Sequence, residues 1–302
     1  MDKNVIAFGD YLLKEKNYSK LTVNSYLQDL GFFSEYLSTT YDISVLSQVK
    51  YPQIRSWIVF LVDSGISNVS VNRKIASLKA FYKFLLKIKE VESSPLSKHQ
   101  PLKTAKKVQI PFSSKEINLA IDVVNSQETI ADSFETTRDK LIIELFYATG
   151  MRRAELMNLK LNSFDLSSKT VKVLGKRNKE RIIPLLEPIV DLVKNYLQKR
   201  SELIFIKDTD CFFLTKSGVK LYEMLVYRVI KSYFSVVSEK VKQSPHVLRH
   251  SFATHLLDNG ADLNSVKELL GHSSLASTQI YVNSSLSELK KVHAKAHPRN
   301  KS

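Results

Sequence analysis

The stretch TVKVLGKRNKERIIPL, residues 170–185, decides the fold class, because it is a strand pattern in a chain whose other periodic segments are helical. Residues 170–174 alternate and carry β-branched side chains, and residues 181–185 repeat this pattern. The polar stretch 175–180 between them contains a glycine, so the whole segment predicts a β-hairpin. We therefore expect a mainly α-helical protein with a small β-sheet.

The first hundred residues predict a bundle of helices, since start signals precede runs of apolar residues at helical spacing. Ser19 is a capping residue for one helix. Pro52 suits the first turn of the next helix, which Gly65 ends. A third helix begins at Ser67 or Ser70. The apolar stripes of these helices are expected to pack against one another as a small helical domain.

Composition predicts four parts along the chain. Residues 1–92 form the helical domain, and residues 93–112 form a basic linker in which prolines interrupt the periodicity. Residues 113–288 form a second domain with helices and the hairpin, and its first helix has a capping signal at Ser113. Residues 289–302 are a short basic tail.

Net charge indicates a polyanionic partner. The 302 residues include 45 Lys and Arg against 30 Asp and Glu, a net charge of +15. Such an excess favours nucleic acid, although a basic surface that only confers solubility is the alternative. Few acids balance the cations of the first helices, which favours contact with phosphates. These cations are Lys14, Lys16, Lys20, Arg55, Arg73, Lys74, Lys79 and Lys83.

Cysteine content and the apolar runs indicate a cytoplasmic protein. The single cysteine excludes a disulfide within the chain, which fits a reducing compartment. No signal peptide is visible at the N-terminus. No apolar run approaches the roughly 20 residues that a membrane span requires, so no membrane partner is expected.

Five segments place chemically competent residues within or beside apolar elements. Gly150 allows a sharp turn before a helix start whose outward N–H groups, beside an arginine, suit a phosphate. Taken singly, each segment also has a plain structural interpretation: a surface arginine, a solvated turn, satisfied histidines or a core tyrosine. The candidate residues are Arg152, Lys176, His246 with Arg249 and His250, His272, and Tyr281.

A metal site is the alternative interpretation of the histidines. His246 and His250 lie one helical turn apart, as zinc ligands do, and His255 follows. Arg249 stands between them and would repel a cation, and no cysteine or acid has ligand spacing nearby. We therefore expect no metal and no cofactor. Cationic side chains without a carboxylate cluster instead suit phosphoryl transfer, since guanidinium pairs with phosphate through two parallel bonds.

At these segments the sequence resembles the tyrosine recombinases, most closely the bacterial Xer site-specific recombinases. The resemblance runs nearly end to end, and the fragments follow the order and spacing of that family. The densest fragments are ATGMRRAEL at 148–156, GKRNKER at 175–181, HVLRHSFATH at 246–255 and LLGHSSLASTQIY at 269–281. A departure is Arg177, where relatives often carry glycine.

The resemblance implies which residues bind the scissile phosphate. Arg152 and Arg249 look like the pair that clamps it, and His272 is similar to a further phosphate-contacting residue. Glu155 matches a position with a structural role, in which the carboxylate orients a basic neighbour.

The resemblance also implies the residues that make and break bonds. Tyr281 matches the nucleophile, which forms a 3′-phosphotyrosyl link. Lys176 resembles the general acid on the 5′-oxygen, and His246 the residue that exchanges a proton with the nucleophile. A tyrosine has a pKa near 10 and therefore needs such cationic neighbours or a base.

The same resemblance implies the architecture and the partners. The N-terminal bundle corresponds to a SAM-like DNA-binding domain and the second domain to an α+β catalytic domain. The implied partners are double-stranded DNA with paired half-sites, further protomers in a homo- or heterotetramer on that DNA, and a DNA translocase of the FtsK type. The tail at 289–302 resembles a segment that packs on a neighbouring protomer.

The implied function is resolution of chromosome dimers at a dif-like site, without ATP. An integrase of a mobile element is the nearest alternative. A DNA-binding protein without catalysis is an alternative from another class, and a metal-dependent nuclease is more distant.

Overall fold

The computed structural model describes residues 2–105, 110–125, 133–175, 179–240 and 243–271, together with residues 293, 295, 296 and 298. The chain divides into two compact units, residues 1–107 and 108–302. Each unit has a hydrophobic core of its own. Within the described ranges, no helix has both the length and the apolar character that crossing a membrane requires.

Helices build the first unit, as the periodicity predicts. A π-helical turn at Tyr11–Glu15 follows the first of them. The helices are α1 at Lys3–Asp10, α2 at Lys20–Tyr41, α3 at Tyr51–Asp63 and α4 at Asn68–Lys87.

The predicted start and stop signals lie where the helices begin and end. The Ser19 hydroxyl accepts the Thr22 N–H at 3.3 Å, and Ser67 caps α4 in the same way, which decides between the two serines considered for that helix. Pro52 is in the first turn of α3. Gly65 follows this helix with φ of +78°, a left-handed conformation that favours glycine.

Helix α1 was not predicted, although its cap is visible in the sequence. Asp2 accepts the N–H of Asn4 at 2.9 Å, and its other oxygen accepts the N–H of Leu46 at 3.0 Å. Phe8 of α1 is fully buried against Phe81 of α4, with ring centroids 5.4 Å apart. Tertiary packing thus stabilises a helix of eight residues that would be marginal alone.

Some of the described residues of the predicted linker at 93–112 pack against one unit or the other, while others are exposed. Leu96 is buried in the core of the first unit. The Asn72 side chain bonds both the N–H and the C=O of Leu102 at 2.9 Å. Phe112 is buried in the core of the second unit, where its N–H donates to Ser251 Oγ at 2.8 Å.

The second unit combines helices with a three-stranded antiparallel sheet, which confirms the predicted mainly α-helical fold with a small sheet. The sheet has the order β1-β2-β3. The strands are β1 at Phe164–Asp165, β2 at Thr170–Leu174 and β3 at Glu180–Pro184. The helices are α5 at Ser114–Asn125, α6 at Phe134–Thr149, α7 at Arg153–Met157, α8 at Glu187–Ser201, α9 at Glu223–Val237, α10 at Pro245–Asp258 and α11 at Leu263–Leu270.

The hairpin prediction is confirmed by the pairing of β2 with β3. Val171 pairs with Ile183, and Val173 with Arg181. Strand β1 was not predicted, since two residues are too few to show alternation. Helix α6 lies in the core of the second unit, where residues 141–149 are all buried. A helix that is buried on all sides is expected to be apolar, and most of residues 141–149 are.

A buried carboxylate joins α2 to α4 in the first unit. Asp29 is 2% exposed, and it accepts two bonds from Arg73, at 2.7 and 2.8 Å. Lys74 Nζ and Ser77 Oγ donate to the same carboxylate at 3.1 and 2.7 Å. Burial by itself raises the pKa of Asp29, but these hydrogen bonds outweigh it and the net shift is downward. Two of the predicted DNA-facing cations are therefore held in place by a carboxylate.

Replacing this carboxylate is expected to destabilise the first unit. Asp29→Asn leaves Arg73 and Lys74 without their counter-charge, so the free energy of unfolding falls by about 3 kcal/mol. Urea denaturation of the full chain measures the loss. Asp10→Asn is the matched control, because Asp10 forms an exposed pair with Lys14, and its effect is expected to stay below about 0.5 kcal/mol. Equal effects of the two variants would contradict the role given to Asp29.

Candidate active site

The turn between α6 and α7 carries Arg152. Helix α6 ends at Gly150, whose φ of +58° reverses the chain as expected. At the start of α7, the backbone N–H of Arg152 donates to Glu155 Oε2 at 2.7 Å, so this N–H is not available to a phosphate. The side chain of Arg152 is 35% exposed and remains available to a ligand.

Helix α10 carries the second predicted arginine. Arg249 is 8% exposed and donates to the carbonyl oxygens of Gly150 at 2.5 Å and Leu270 at 2.7 Å. Burial, followed by the charge of Arg152, lowers the pKa of Arg249 to about 10, so it is still protonated at neutral pH. His246 and His250 of the same helix are exposed, so the three residues differ in burial although their spacing predicted one face.

Three arginines converge on the last carbonyl groups of α11. This helix ends at Gly271, with φ of +62°, as the sequence predicts. The carbonyls at a helix C-terminus have no partners within the helix, and their partial negative charge favours cations. The bonds are Arg181 Nε to Leu269 O at 2.9 Å, Arg249 Nη2 to Leu270 O at 2.7 Å, and Arg152 Nη2 to Gly271 O at 3.3 Å.

Glu155 neutralises part of this positive charge. Its carboxylate accepts from Arg152 Nη1 at 2.8 Å and from both terminal nitrogens of Arg181, at 2.9 and 2.7 Å. Burial alone raises the pKa of Glu155, but the bonds from Arg181 and Arg152 outweigh it and hold the pKa at about 2. The carboxylate therefore orients basic neighbours, as its position in the sequence suggested.

The structure brings two of the six predicted site residues into one network. Arg152 and Arg249 both bond the end of α11, although they are 97 positions apart in the chain. His246 is exposed in the first turn of α10. Lys176, His272 and Tyr281 lie outside the described residues.

Arg181 belongs to the same network and was not singled out from the sequence. One signal in the sequence could have identified it: Arg181 stands beside the β-branched residues of β3. A charged side chain on a strand that packs on a core needs a partner, since burying an unpaired charge is costly. Its partner, Glu155, is 26 positions away in the chain and could not be identified from spacing.

The histidines considered as metal ligands have other environments. His255 Nδ1 is 2.9 Å from the Tyr147 hydroxyl, within hydrogen-bond distance. In the part of the chain that the structure describes, no group of three or more His, Cys, Asp or Glu residues could hold a metal ion.

Two described residues of the predicted tail are buried in the second unit of their own chain. His293 is 1% exposed, and its Nε2 donates to the Ala148 carbonyl at 2.6 Å near the end of α6. Its ring lies 6.1 Å from that of Phe252. Ala296 is 3% exposed in the same core. Packing of the tail on a neighbouring protomer stays a prediction.

The packing around Gly150 is expected to exclude any side chain at this position. A Cβ there would lie 2.3 Å from Phe252 Cδ1 and 2.8 Å from Leu270 Cδ2, at a positive φ. Gly150→Ala should therefore lower the free energy of unfolding by about 3 kcal/mol, from strain and overpacking together. Gly260→Ala is the matched control, because Gly260 also has positive φ but no atom within 4 Å, and should cost about 1 kcal/mol. Urea denaturation compares them, and equal losses would refute the packing argument.

Acidification is expected to remove the stabilisation from His293. Burial lowers its pKa from the ordinary 6.5, although the bond to Ala148 opposes this. The unfolded chain therefore takes up a proton first, so the stabilisation is complete above pH 6.5 and is lost as the pH falls below it. His293→Gln should be less stable than wild type at pH 7.5, with a smaller difference at pH 5.5. Urea denaturation at both pH values tests this, and a constant difference would contradict it.

Family models and relatives match almost the whole chain. Residues 114–288 match the phage integrase family, and residues 5–89 match the phage integrase N-terminal SAM-like domain. Tyrosine recombinase XerC of Chlorobaculum parvum is 38% identical, over 96% of this chain and 93% of the relative. Tyrosine recombinase XerC of Anoxybacillus flavithermus is 36% identical, over 97% of this chain and 96% of the relative.

Solved structures show the same fold. The XerH site-specific recombinase bound to difH substrate, in a pre-cleavage complex, is 25% identical with a TM-score of 0.69, over 95% of this chain and 83% of that chain. A lambda integrase dimer bound to a core site is 16% identical with a TM-score of 0.67, over 90% of this chain and 94% of that chain, and shows the fold alone. The chain therefore belongs to the phage integrase family and is a site-specific DNA recombinase of the tyrosine type.

Proposed function

We propose that this recombinase cleaves DNA with Tyr281 and resolves chromosome dimers at a dif-like site. The observation that carries the proposal is the convergence of Arg152 and Arg249 on the end of α11, from segments far apart in the chain. Two fixed guanidinium groups provide the bidentate donors that a phosphate requires. They supply the charge stabilisation that phosphoryl transfer needs, without a metal ion in the reaction.

The proposed reaction exchanges one phosphorus–oxygen ester bond for another. The Tyr281 oxygen attacks the scissile phosphorus and passes its proton to His246, while Arg152, Arg249 and His272 bind the nonbridging oxygens. The bond from phosphorus to the 5′-oxygen breaks, and Lys176 gives that oxygen a proton. The 3′-phosphotyrosyl link conserves the bond energy, so a 5′-hydroxyl restores the DNA by the reverse attack without ATP.

The biological role is proposed from the relatives. Several are called XerC, and a solved XerH recombinase is bound to difH substrate. We extend this to paired half-sites in double-stranded DNA, a homo- or heterotetramer, a translocase of the FtsK type as activator, and action in the cytoplasm. Integration of a mobile element is the alternative role for the same chemistry. DNA binding without catalysis is the alternative from another class, and it predicts that no covalent adduct forms in the following experiment.

Replacing Tyr281 separates catalysis from binding. Selection from a random DNA pool first identifies a bound sequence, and a nicked duplex with that sequence is the substrate. Wild-type protein in EDTA is expected to form a covalent adduct that survives a denaturing gel. Tyr281→Phe, which lacks the attacking oxygen, should bind the duplex with unchanged affinity and form no adduct.

The control is Tyr41→Phe, which removes an exposed hydroxyl in the first unit and should leave adduct formation intact. An adduct that persists in Tyr281→Phe would sink the assignment of the nucleophile. Loss of the wild-type adduct in EDTA would instead revive a metal-dependent nuclease. A selected sequence that forms a near-palindrome beside the replication terminus favours dimer resolution, whereas one at the ends of a mobile element favours integration.

A further inference from the structure

We propose that Arg181 is a positioning residue for DNA cleavage. In this role it holds the Glu155 carboxylate so that Arg152 stays available to the scissile phosphate, and it fixes the chain segments that lead to Lys176 and His272. The inference rests on the proposed function, since it concerns the same phosphate.

All three nitrogen atoms of the Arg181 guanidinium are engaged. Nε donates to Leu269 O at 2.9 Å, while Nη1 and Nη2 donate to the two oxygens of Glu155 at 2.9 and 2.7 Å. The side chain is 13% exposed. A planar group held at three points has one orientation. Because Nε is engaged as well as both terminal nitrogens, Arg181 has fewer donors left for a phosphate than Arg152 or Arg249, whose side-chain bonds among the described residues use the terminal nitrogens alone. We therefore assign Arg181 a role through its neighbours rather than through DNA.

The carboxylate of Glu155 is shared between two arginines. Its Oε1 accepts from Arg152 Nη1 at 2.8 Å as well as from Arg181, and its Oε2 accepts from the Arg152 N–H at 2.7 Å as well as from Arg181. Without Arg181, the hydrogen bonds described for this buried carboxylate would come from Arg152 alone. The carboxylate would then compete with a phosphate for the same guanidinium group, and the site would lose one positive charge.

Arg181 also lies beside two glycines that precede predicted site residues in the chain. A Cβ on Gly175, the neighbour of Lys176, would lie 3.6 Å from Arg181 Nη1. A Cβ on Gly271, the neighbour of His272, would lie 3.2 Å from the same atom. Backbone from both segments thus packs directly against one guanidinium group, so its removal would loosen both.

The test measures adduct formation on the nicked duplex at saturating DNA, together with the Kd for the same duplex and the thermal unfolding midpoint. Arg181→Ala is expected to slow adduct formation about 100-fold and to change the Kd less than about threefold, because most phosphate contacts are unaffected. Arg181→Lys keeps a cation but not the fork, and should be about 10-fold slower than wild type.

The readout specific to positioning is rescue by a second substitution. In Arg181→Ala with Glu155→Gln, the unmatched carboxylate is gone, so adduct formation should recover at least about fivefold over Arg181→Ala. A purely structural role predicts the opposite, since the double variant loses more polar partners. Arg200→Ala is the matched control: this buried arginine bonds the carbonyls of Thr209 and Cys211, and its loss should lower the unfolding midpoint without slowing the folded enzyme.

Three outcomes overturn the inference: cleavage by Arg181→Ala within threefold of wild type, a slower double variant, or an equal slowing by Arg200→Ala. If Arg181→Ala does not fold, Arg181→Lys decides, and a wild-type rate in that variant overturns the inference as well. A wild-type enzyme that forms no adduct contradicts the proposed function itself, so the two failures are distinguishable.

Discussion

The carbonyl groups at the end of α11 organise the described part of the site. A helix leaves its last carbonyl oxygens without internal partners. Here three successive carbonyl oxygens accept hydrogen bonds from arginines in the turn before α7, in β3 and in α10. The guanidinium groups repel one another, and the Glu155 carboxylate offsets part of that repulsion. The left-handed turn at Gly271 exposes the acceptors, while that at Gly150 places Arg152 beside them. A helix end, two glycines and one carboxylate thus determine where the positive charge lies.

Groups of the protein itself hold Arg249 in this arrangement. Arg249 is nearly buried and bonded to two carbonyls, so its desolvation occurs during folding rather than during the reaction. Donors fixed in this way do not reorganise when charge develops on a phosphate, which is the condition for effective electrostatic stabilisation. Arg152 differs, because its side chain is partly exposed and shares its donors with Glu155. Arg249 thus has a structural role besides the catalytic one proposed for it, whereas the side chain of Arg152 remains open to a ligand.

Local signals in the sequence predicted much of the fold and part of the site. Ser19 and Pro52 mark helix starts, Gly150 and Gly271 mark turns, and the alternation in β2 and β3 marks the hairpin, because each depends on backbone chemistry within a few residues. Other features could not be predicted, because they depend on contacts between different segments of the chain: helix α1, strand β1 and the burial of Arg249. The ion pair between Arg181 and Glu155 also joins two such segments, so spacing in the sequence could not identify it.

The contact between His293 and Ala148 has a consequence for the tail. A carbonyl buried near the end of α6 requires a donor, and leaving it without one costs about 1–3 kcal/mol. Departure of the tail from the second unit would therefore leave this acceptor unsatisfied unless another donor replaced His293. Because Ala148 lies two residues before Gly150, the same bond ties the end of the chain to the turn that leads to Arg152.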